Sequence, residues 1–368
     1  MLFIRSLEVG GAEGQLVALA KALHAQGVPV RALAFYPGGA LRPALEAAGV
    51  PVEDIGKRGR WDLPFFLWRL YRRLRVLRPD VLYAWLPTAN TLAATVGRLA
   101  AVPRIVWGVR ASSLDFSRYD WLHRVDFELS RFAAPLADRI ICNSEAGCRF
   151  HAASGYPAHK MTVIENGIDT RRFRFDAAGR ERVHREWGIG ADEMVIGQVA
   201  RLDPMKDHET FLHAAAMLAR DRQNVKFVCV GAGEAGRSAA LKRLAHGLGL
   251  DGKAIWAGER RDLAAVYSAF DIASSSSYGE GFSNAVAEAM ACERPCVVTD
   301  VGDSARIVGD TGFVVPAKDA EALAQGWLRA LDLTPASRQR LGVLARQRIE
   351  AEYSVTRMVE RTREVLQC

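Results

Sequence analysis

Asp271–Thr299 reads DIASSSSYGEGFSNAVAEAMACERPCVVT. DIASSS is a short strand of small and apolar residues. NAVAEAMA, from Asn284, is made of helix formers, and PCVVT is β-branched again. A glycine corner at Gly279 and Gly281 separates the first strand from the helix. Strand, helix and strand in this order form a crossover unit, which joins parallel strands.

The same alternation runs outward in both directions. Towards the N-terminus the expected strands are LFIRS (Leu2–Ser6), VRALAF (Val30–Phe35), DVLYAW (Asp80–Trp85), RIVWGV (Arg104–Val109) and RIICN (Arg139–Asn143). Helices are expected from near Glu13, Leu63, Ala89 and Glu145. The second half offers EMVIGQVA (Glu193–Ala200), VKFVCV (Val225–Val230) and KAIWAG (Lys253–Gly258) before the opening stretch. Near-continuous apolar strands with helical crossovers imply parallel sheets covered on both faces. The reading is α/β: two doubly wound Rossmann-like domains, 1–172 and 173–352, with ligands at the carboxyl ends of the strands. The polar, Arg-rich region between Asn166 and Asp192 reads as the linker.

A length of 368 residues suits two domains, and 49% hydrophobic with 25% charged residues is the balance of a soluble protein. MLFIRSLEVGG lacks the features of a signal peptide, and no apolar run is long enough to span a bilayer. Six cysteines without a CxxC pair point to reduced thiols and a cytoplasmic setting. Residues 1–185 carry 27 Lys and Arg against 17 Asp and Glu, so the excess positive charge lies wholly in the first half.

VKFVCVGAGEAG holds G-x-G-x-x-G at Gly231, Gly233 and Gly236. An NAD-dependent Rossmann oxidoreductase is one reading; a tight strand-to-helix turn is the other. The motif follows the second strand of its domain, whereas the dinucleotide fingerprint opens the sheet.

The corner at Gly281 carries more chemistry. Ser283 or Asn284 can cap the following helix, and the amides around Gly281, Phe282 and Ser283 with the helix dipole favour a phosphate. Glu288, about a turn further on, can accept hydrogen bonds from vicinal ribose hydroxyls. Glu280, on the other side, can hold sugar hydroxyls. The bland alternative is two solvated glutamates and two turn glycines. Arg201 and Lys206, in the loop after the first strand of the second domain, add two cations suited to a diphosphate.

Together RLDPMK, VGAGEAG, AGERRDL and EGFSNAVAE resemble the retaining, metal-independent nucleotide-sugar glycosyltransferases of family 4, which have the GT-B fold. GGAEGQLVALAKAL (Gly10–Leu23), the segment Asn143–Phe173 and the closing EYSVTRMVERTREVL extend the likeness over nearly the whole chain. The resemblance implies a catalytic group of Arg201, Lys206 and Glu280, with Glu288 on the nucleotide ribose. It implies donor contacts from Gly10, Gly11, Gly231, Arg260, Gly281, Phe282, Ser283 and Asn284. It places Thr88, Asn90 and Arg110 on the acceptor side, and residues 353–368 back on the first domain. The chain departs from the family where relatives often carry histidine, at Thr88 and Ala111, and where Gly14 replaces a larger polar residue.

The implied reaction moves a sugar from a nucleoside-diphosphate sugar to an acceptor hydroxyl, with no metal and no cofactor. A non-catalytic nucleotide-sugar-binding homologue is the alternative. Lys57–Pro79 concentrates eight cations against Asp62, interleaved with Trp61, Phe65, Phe66, Trp68 and Tyr71. Leu63, Phe66, Leu67, Leu70, Leu74 and Leu77 form a core stripe on this helix. The remainder suits either an anionic membrane surface bearing a lipid-linked acceptor or plain solvent. No nucleic-acid-binding motif accompanies the cations.

Overall fold

The structure is a computed structural model that describes residues 1–59, 62–110 and 121–367, with backbone alone at 121–123. Trp61, Ala111 and Cys368 therefore lie outside the described residues. The chain divides into two compact units, Met1–Gly167 with Val355–Cys368, and Ile168–Ser354.

The first unit is built on seven strands: β1 (Leu2–Ile4), β2 (Ala32–Ala34), β3 (Val52–Asp54), β4 (Val81–Trp85), β5 (Arg104–Val109), β6 (Arg139–Cys142) and β7 (Met161–Val163). All pair in parallel, in the order β3-β2-β1-β4-β5-β6-β7. Alternate side chains feed two cores. Phe3, Leu33, Leu82, Ile105 and Trp107 point to one face, and Leu2, Ile4, Tyr83, Trp85 and Val106 to the other. Period-two alternation with both faces apolar is why these strands read as continuous hydrophobic runs.

The second unit contains β8 (Met194–Val199), β9 (Val225–Val230), β10 (Ala254–Gly258), β11 (Ile272–Ser275), β12 (Cys296–Thr299) and β13 (Gly312–Val315). Their parallel order, β10-β9-β8-β11-β12-β13, is the doubly wound arrangement in which strand order reverses beside the first strand. The reversal lies between β8 and β11 here, and between β1 and β4 in the first unit. A crevice for ligand opens at the carboxyl end of each such pair.

β3, β7 and β13 were not among the expected strands. Each is an edge strand of three or four residues; VED and MTV are too short and polar to show an apolar run, whereas GFVV is an apolar run that the reading passed over. The expected linker is also corrected. It contains a helix, Ala177–Trp187, capped by the Asp176 carboxylate on Gly179 N (2.9 Å) and ended by Gly188 at φ +66°. Arg180 fastens it to the second unit through Ser268 O (2.9 Å) and Asp271 (2.9 Å). Only Val183 and Gly179 are buried, so the helix shows no apolar stripe in sequence.

The last helix, Val355–Gln367, packs in the first unit. Met358 and Val359 enter the core that holds Leu16 and Leu23, and Arg361 pairs with buried Glu165. Arg104 also donates to Val365 O (2.8 Å).

Candidate nucleotide-sugar site

The carboxyl ends of β8 and β11 bring together most of the residues expected on the donor side. Buried Gln198, at the end of β8, is the clasp. Its amide nitrogen donates to Lys206 O (3.0 Å), and its oxygen accepts from Ser276 N (3.1 Å) and the Ser276 hydroxyl (2.9 Å). Tyr278 N adds a bond to Met205 O (3.0 Å). The loop carrying Lys206 is thereby fixed against the loop carrying Glu280.

The result is an ion pair. Lys206 Nζ lies 2.5 Å from Glu280 Oε1, which also accepts from the Ser277 hydroxyl at 2.8 Å. The two residues assigned separately to phosphate and to sugar are thus one unit, with the acid the more buried partner. Arg201 lies exposed at the start of the same loop and forms no ion pair among the described residues.

The glycine corner is held from the other side. The Thr299 hydroxyl donates to Ser277 O (2.5 Å), and Asp303 N donates to Gly281 O (3.0 Å). Gly302 makes this approach possible: its φ is +58°, and a Cβ there would sit 2.3 Å from Glu280 O. Helix Asn284–Ala291 follows. Ser283 occupies its N-cap position, but its hydroxyl makes no capping hydrogen bond, contrary to one of the two expectations. The helix start keeps its anion-attracting amides and dipole. Phe282 contributes backbone only, since its ring is buried against Tyr353, centroids 5.5 Å apart.

Glu288 projects from the same helix and accepts a hydrogen bond from buried Tyr267 at 2.9 Å. Burial pushes its carboxyl up to about 7, against the pull of the Tyr267 hydroxyl and the positive charge of Arg172. A carboxyl poised there changes its charge near neutrality.

The remaining donor-side residues are less directly placed. Gly231, at φ +139°, and Gly233 bring the loop after β9 against the loop after β8: a Cβ at Gly231 would lie 2.0 Å from Ala200 O. Gly236 has open space around it. Packing accounts for the first two glycines of GAGEAG, and β9 is not at the point where strand order reverses. Arg260 is engaged within the protein, its guanidinium gripped by Asp262 (2.9 Å on two nitrogens) and by Glu186. These carboxylates raise its pKa further and hold it at the side of the linker helix.

In the first unit, Gly10 and Gly11 begin helix Gly11–Ala25 after β1, and no side chain caps that helix. The Thr88 hydroxyl donates to Asp126 (2.9 Å). Asn90 is fully buried; its amide nitrogen donates to Gly108 O (3.1 Å) and ties its helix to β5, while its Oδ1 is buried without a partner among the described residues. Arg110 lies 3.7 Å over the Trp85 ring and donates to Asn166 (2.6 Å); burial lowers its pKa.

Sequence reasoning missed Gln198 and Tyr267. A lone polar residue inside the apolar strand MVIGQV was the available signal for Gln198. Tyr267 gave none, because nothing local distinguishes it from a core tyrosine.

A doubly wound sheet with a lysine–glutamate pair, an exposed arginine and a helix start gathered at its reversal point defines an α/β protein whose polar residues cluster where such folds bind ligands. The chain belongs to glycosyltransferase family 4: the profile "Glycosyltransferase Family 4" matches residues 9–172, and "Glycosyl transferases group 1" matches residues 193–332. It is 30% identical over 219 residues to the D-inositol 3-phosphate glycosyltransferase of Rhodococcus opacus, covering 57% of this chain and 48% of that protein. The chain thus spans about half the length of that relative. It is 24% identical over 268 residues to the Escherichia coli UDP-Gal:alpha-D-GlcNAc-diphosphoundecaprenol alpha-1,3-galactosyltransferase, covering 72% and 69% of the two chains. Among solved structures, Anabaena Alr3699/HepE in complex with UDP superposes with a TM-score of 0.87 at 22% identity, over 100% of this chain and 98% of that one. The fold is GT-B.

Proposed function

We propose that the protein transfers a glycosyl group from a nucleoside-diphosphate sugar to an acceptor hydroxyl, retaining the anomeric configuration and requiring no metal ion. The observation that carries this reading is the Lys206–Glu280 pair, set with Arg201 beside the start of helix Asn284–Ala291. Arg201, Lys206 and the helix amides would stabilise the negative charge that develops on the departing diphosphate. Glu280 holds the lysine in place and offers its remaining acceptor capacity to the sugar. Glu288 would accept the ribose hydroxyls, oriented by Tyr267. In the reaction the bond from anomeric carbon to phosphate oxygen breaks and the bond to the acceptor oxygen forms. The acceptor proton passes to the leaving phosphate.

The family's structures and relatives favour a uridine nucleotide. Anabaena Alr3699/HepE has been solved with UDP-glucose as well as with UDP, and the E. coli relative is described as using UDP-Gal. A lipid-linked acceptor in cell-surface polysaccharide or glycolipid assembly, reached from the cytoplasm, completes the proposal.

Thermal unfolding with UDP, GDP, ADP or NAD, each in the presence of a chelator, tests it. UDP should raise the unfolding temperature by binding the folded state, and Arg201→Ala or Glu288→Ala should abolish the rise. Stabilisation by NAD alone would overturn the reading. Binding of UDP without hydrolysis or transfer of any UDP-sugar would favour the non-catalytic homologue, in line with Thr88 being engaged by Asp126.

A further inference from the structure

We infer that one broad face of the first unit, made by two helices far apart in sequence, docks on an anionic lipid surface. The inference goes beyond the transfer reaction and does not depend on it. Helix Leu63–Leu77 and helix Trp121–Ala133 both pack on the same face of the first sheet. Phe66, Leu70 and Leu74 from one, and Phe127 and Ala133 from the other, enter a single core with Phe3, Leu82 and Trp107. The helical segment Pro87–Gly97 lies between them and touches both. The surfaces they turn away from the sheet therefore share one side of the unit.

That side is apolar where it should be polar. Of sixteen exposed large hydrophobic residues among the described residues, ten lie on or immediately after these three helical segments. Phe65, Trp68 and Val76 stand out from the first helix at 68%, 55% and 68% exposure. Val125, Leu129 and Phe132 follow helical spacing on the second, opposite its buried Phe127 and Ser130, at 44%, 54% and 71%. A surface helix normally has one apolar stripe, facing the core. Each of these has a second, and clustered exposure of this kind marks an interaction surface.

Charge identifies the occupant. Asp62 is taken up by Lys57 and Arg69, and Glu53 by Arg31 and Arg73. Arg58, Arg72, Arg75 and Arg78 have no acidic partner among the described residues, and Arg72 lies 4.9 Å over the exposed Trp68 ring. Aromatic residues flanked by unpaired arginines match the boundary between headgroups and acyl chains of an anionic bilayer. Among the described residues no helix is long and apolar enough to cross a membrane, so the contact is a surface one.

The full chain should float with vesicles of phosphatidylcholine mixed with phosphatidylglycerol, and not with phosphatidylcholine alone. The triple change Arg72→Gln, Arg75→Gln, Arg78→Gln should weaken partitioning by about fivefold per charge removed. Phe65→Ser with Trp68→Ser, and separately Leu129→Ser with Phe132→Ser, should each reduce flotation at least tenfold. All these side chains are exposed, and an unchanged unfolding temperature and UDP response would show the variants folded. Flotation unaffected by the Leu129/Phe132 pair would overturn the two-helix face. Absence of charge-dependent binding by the wild-type chain would overturn the lipid assignment altogether. So would a dimer in light scattering that the same serine changes dissolve, since a second copy would then cover this face.

Discussion

At the scale of single residues, the site is governed by what burial does to charge. Glu288 is the clearest case, because its carboxyl binds a proton more tightly in the folded chain than in the unfolded one. The stability from the protonated form is complete below the ordinary value of 4.5 and is lost as pH rises through about 7. The unfolding temperature of the unliganded protein should therefore fall between about pH 5 and pH 8, and Glu288→Gln should flatten that decline. On the role proposed for Glu288, nucleotide binding should show the opposite trend, strengthening over the same interval as the carboxylate forms. Tyr267→Phe removes the hydrogen bond that favours the carboxylate, so the midpoint of that binding profile should move to higher pH. An unmoved midpoint in calorimetric titrations would show that Tyr267 does not act on Glu288. The two glutamates were legible from their spacing around a glycine corner. Their partners were not: the pairing of Glu280 with Lys206 spans 74 residues, and that of Glu288 with Tyr267 spans 21. Local pattern carries no information on such distances.

At the scale of elements, the glycines of GAGEAG separate a packing role from a ligand-binding one. Gly231→Ala puts a Cβ against the Ala200 carbonyl at a backbone conformation that only glycine adopts readily, and should cost about 2 kcal/mol or more. Gly236 lies inside helix Ala235–Gly247 with nothing near it, so Gly236→Ala should stabilise by about 0.5–1 kcal/mol. Urea unfolding of the two variants measures both. A dinucleotide fingerprint predicts the reverse emphasis, since its third glycine serves close packing of helix on strand. Central strands and long helices showed plainly in the sequence because both faces of a parallel sheet are apolar. Edge strands β3 and β7 escaped because three residues that include polar ones make no apolar run, while β13 was an apolar run passed over. Leu63 was also misplaced. The helical spacing puts it in the core stripe, but it is the first residue of its helix and stands 48% exposed beyond the packed turns.

At the scale of the whole molecule, the chain leaves its first unit at Gly167 and returns to it at Val355. The closing helix completes the core around Leu16 and Leu23 with Met358 and Val359, and brings Arg361 to Glu165. Ending the chain after Ser354 should therefore lower the unfolding temperature of the first unit while leaving the second unit's transition in place, as two peaks in scanning calorimetry. Equal loss in both units would argue that the helix supports the second as well. Composition, alternation of apolar strands with amphipathic helices, and a few glycine-bounded motifs determined that this protein is a pair of doubly wound sheets, and marked the strand ends where the candidate site lies. Those features are local, since strand burial, helix periodicity and turn conformation are each written within about twenty residues. Tertiary structure alone decided which residues meet: that Lys206 is held by Glu280, that Glu288 is raised toward neutrality by burial, that Arg260 is gripped by Glu186 and Asp262, and that two distant helices share one exposed apolar face. Each of these depends on the order of strands in a sheet. That order is set by long-range packing, which no local pattern encodes.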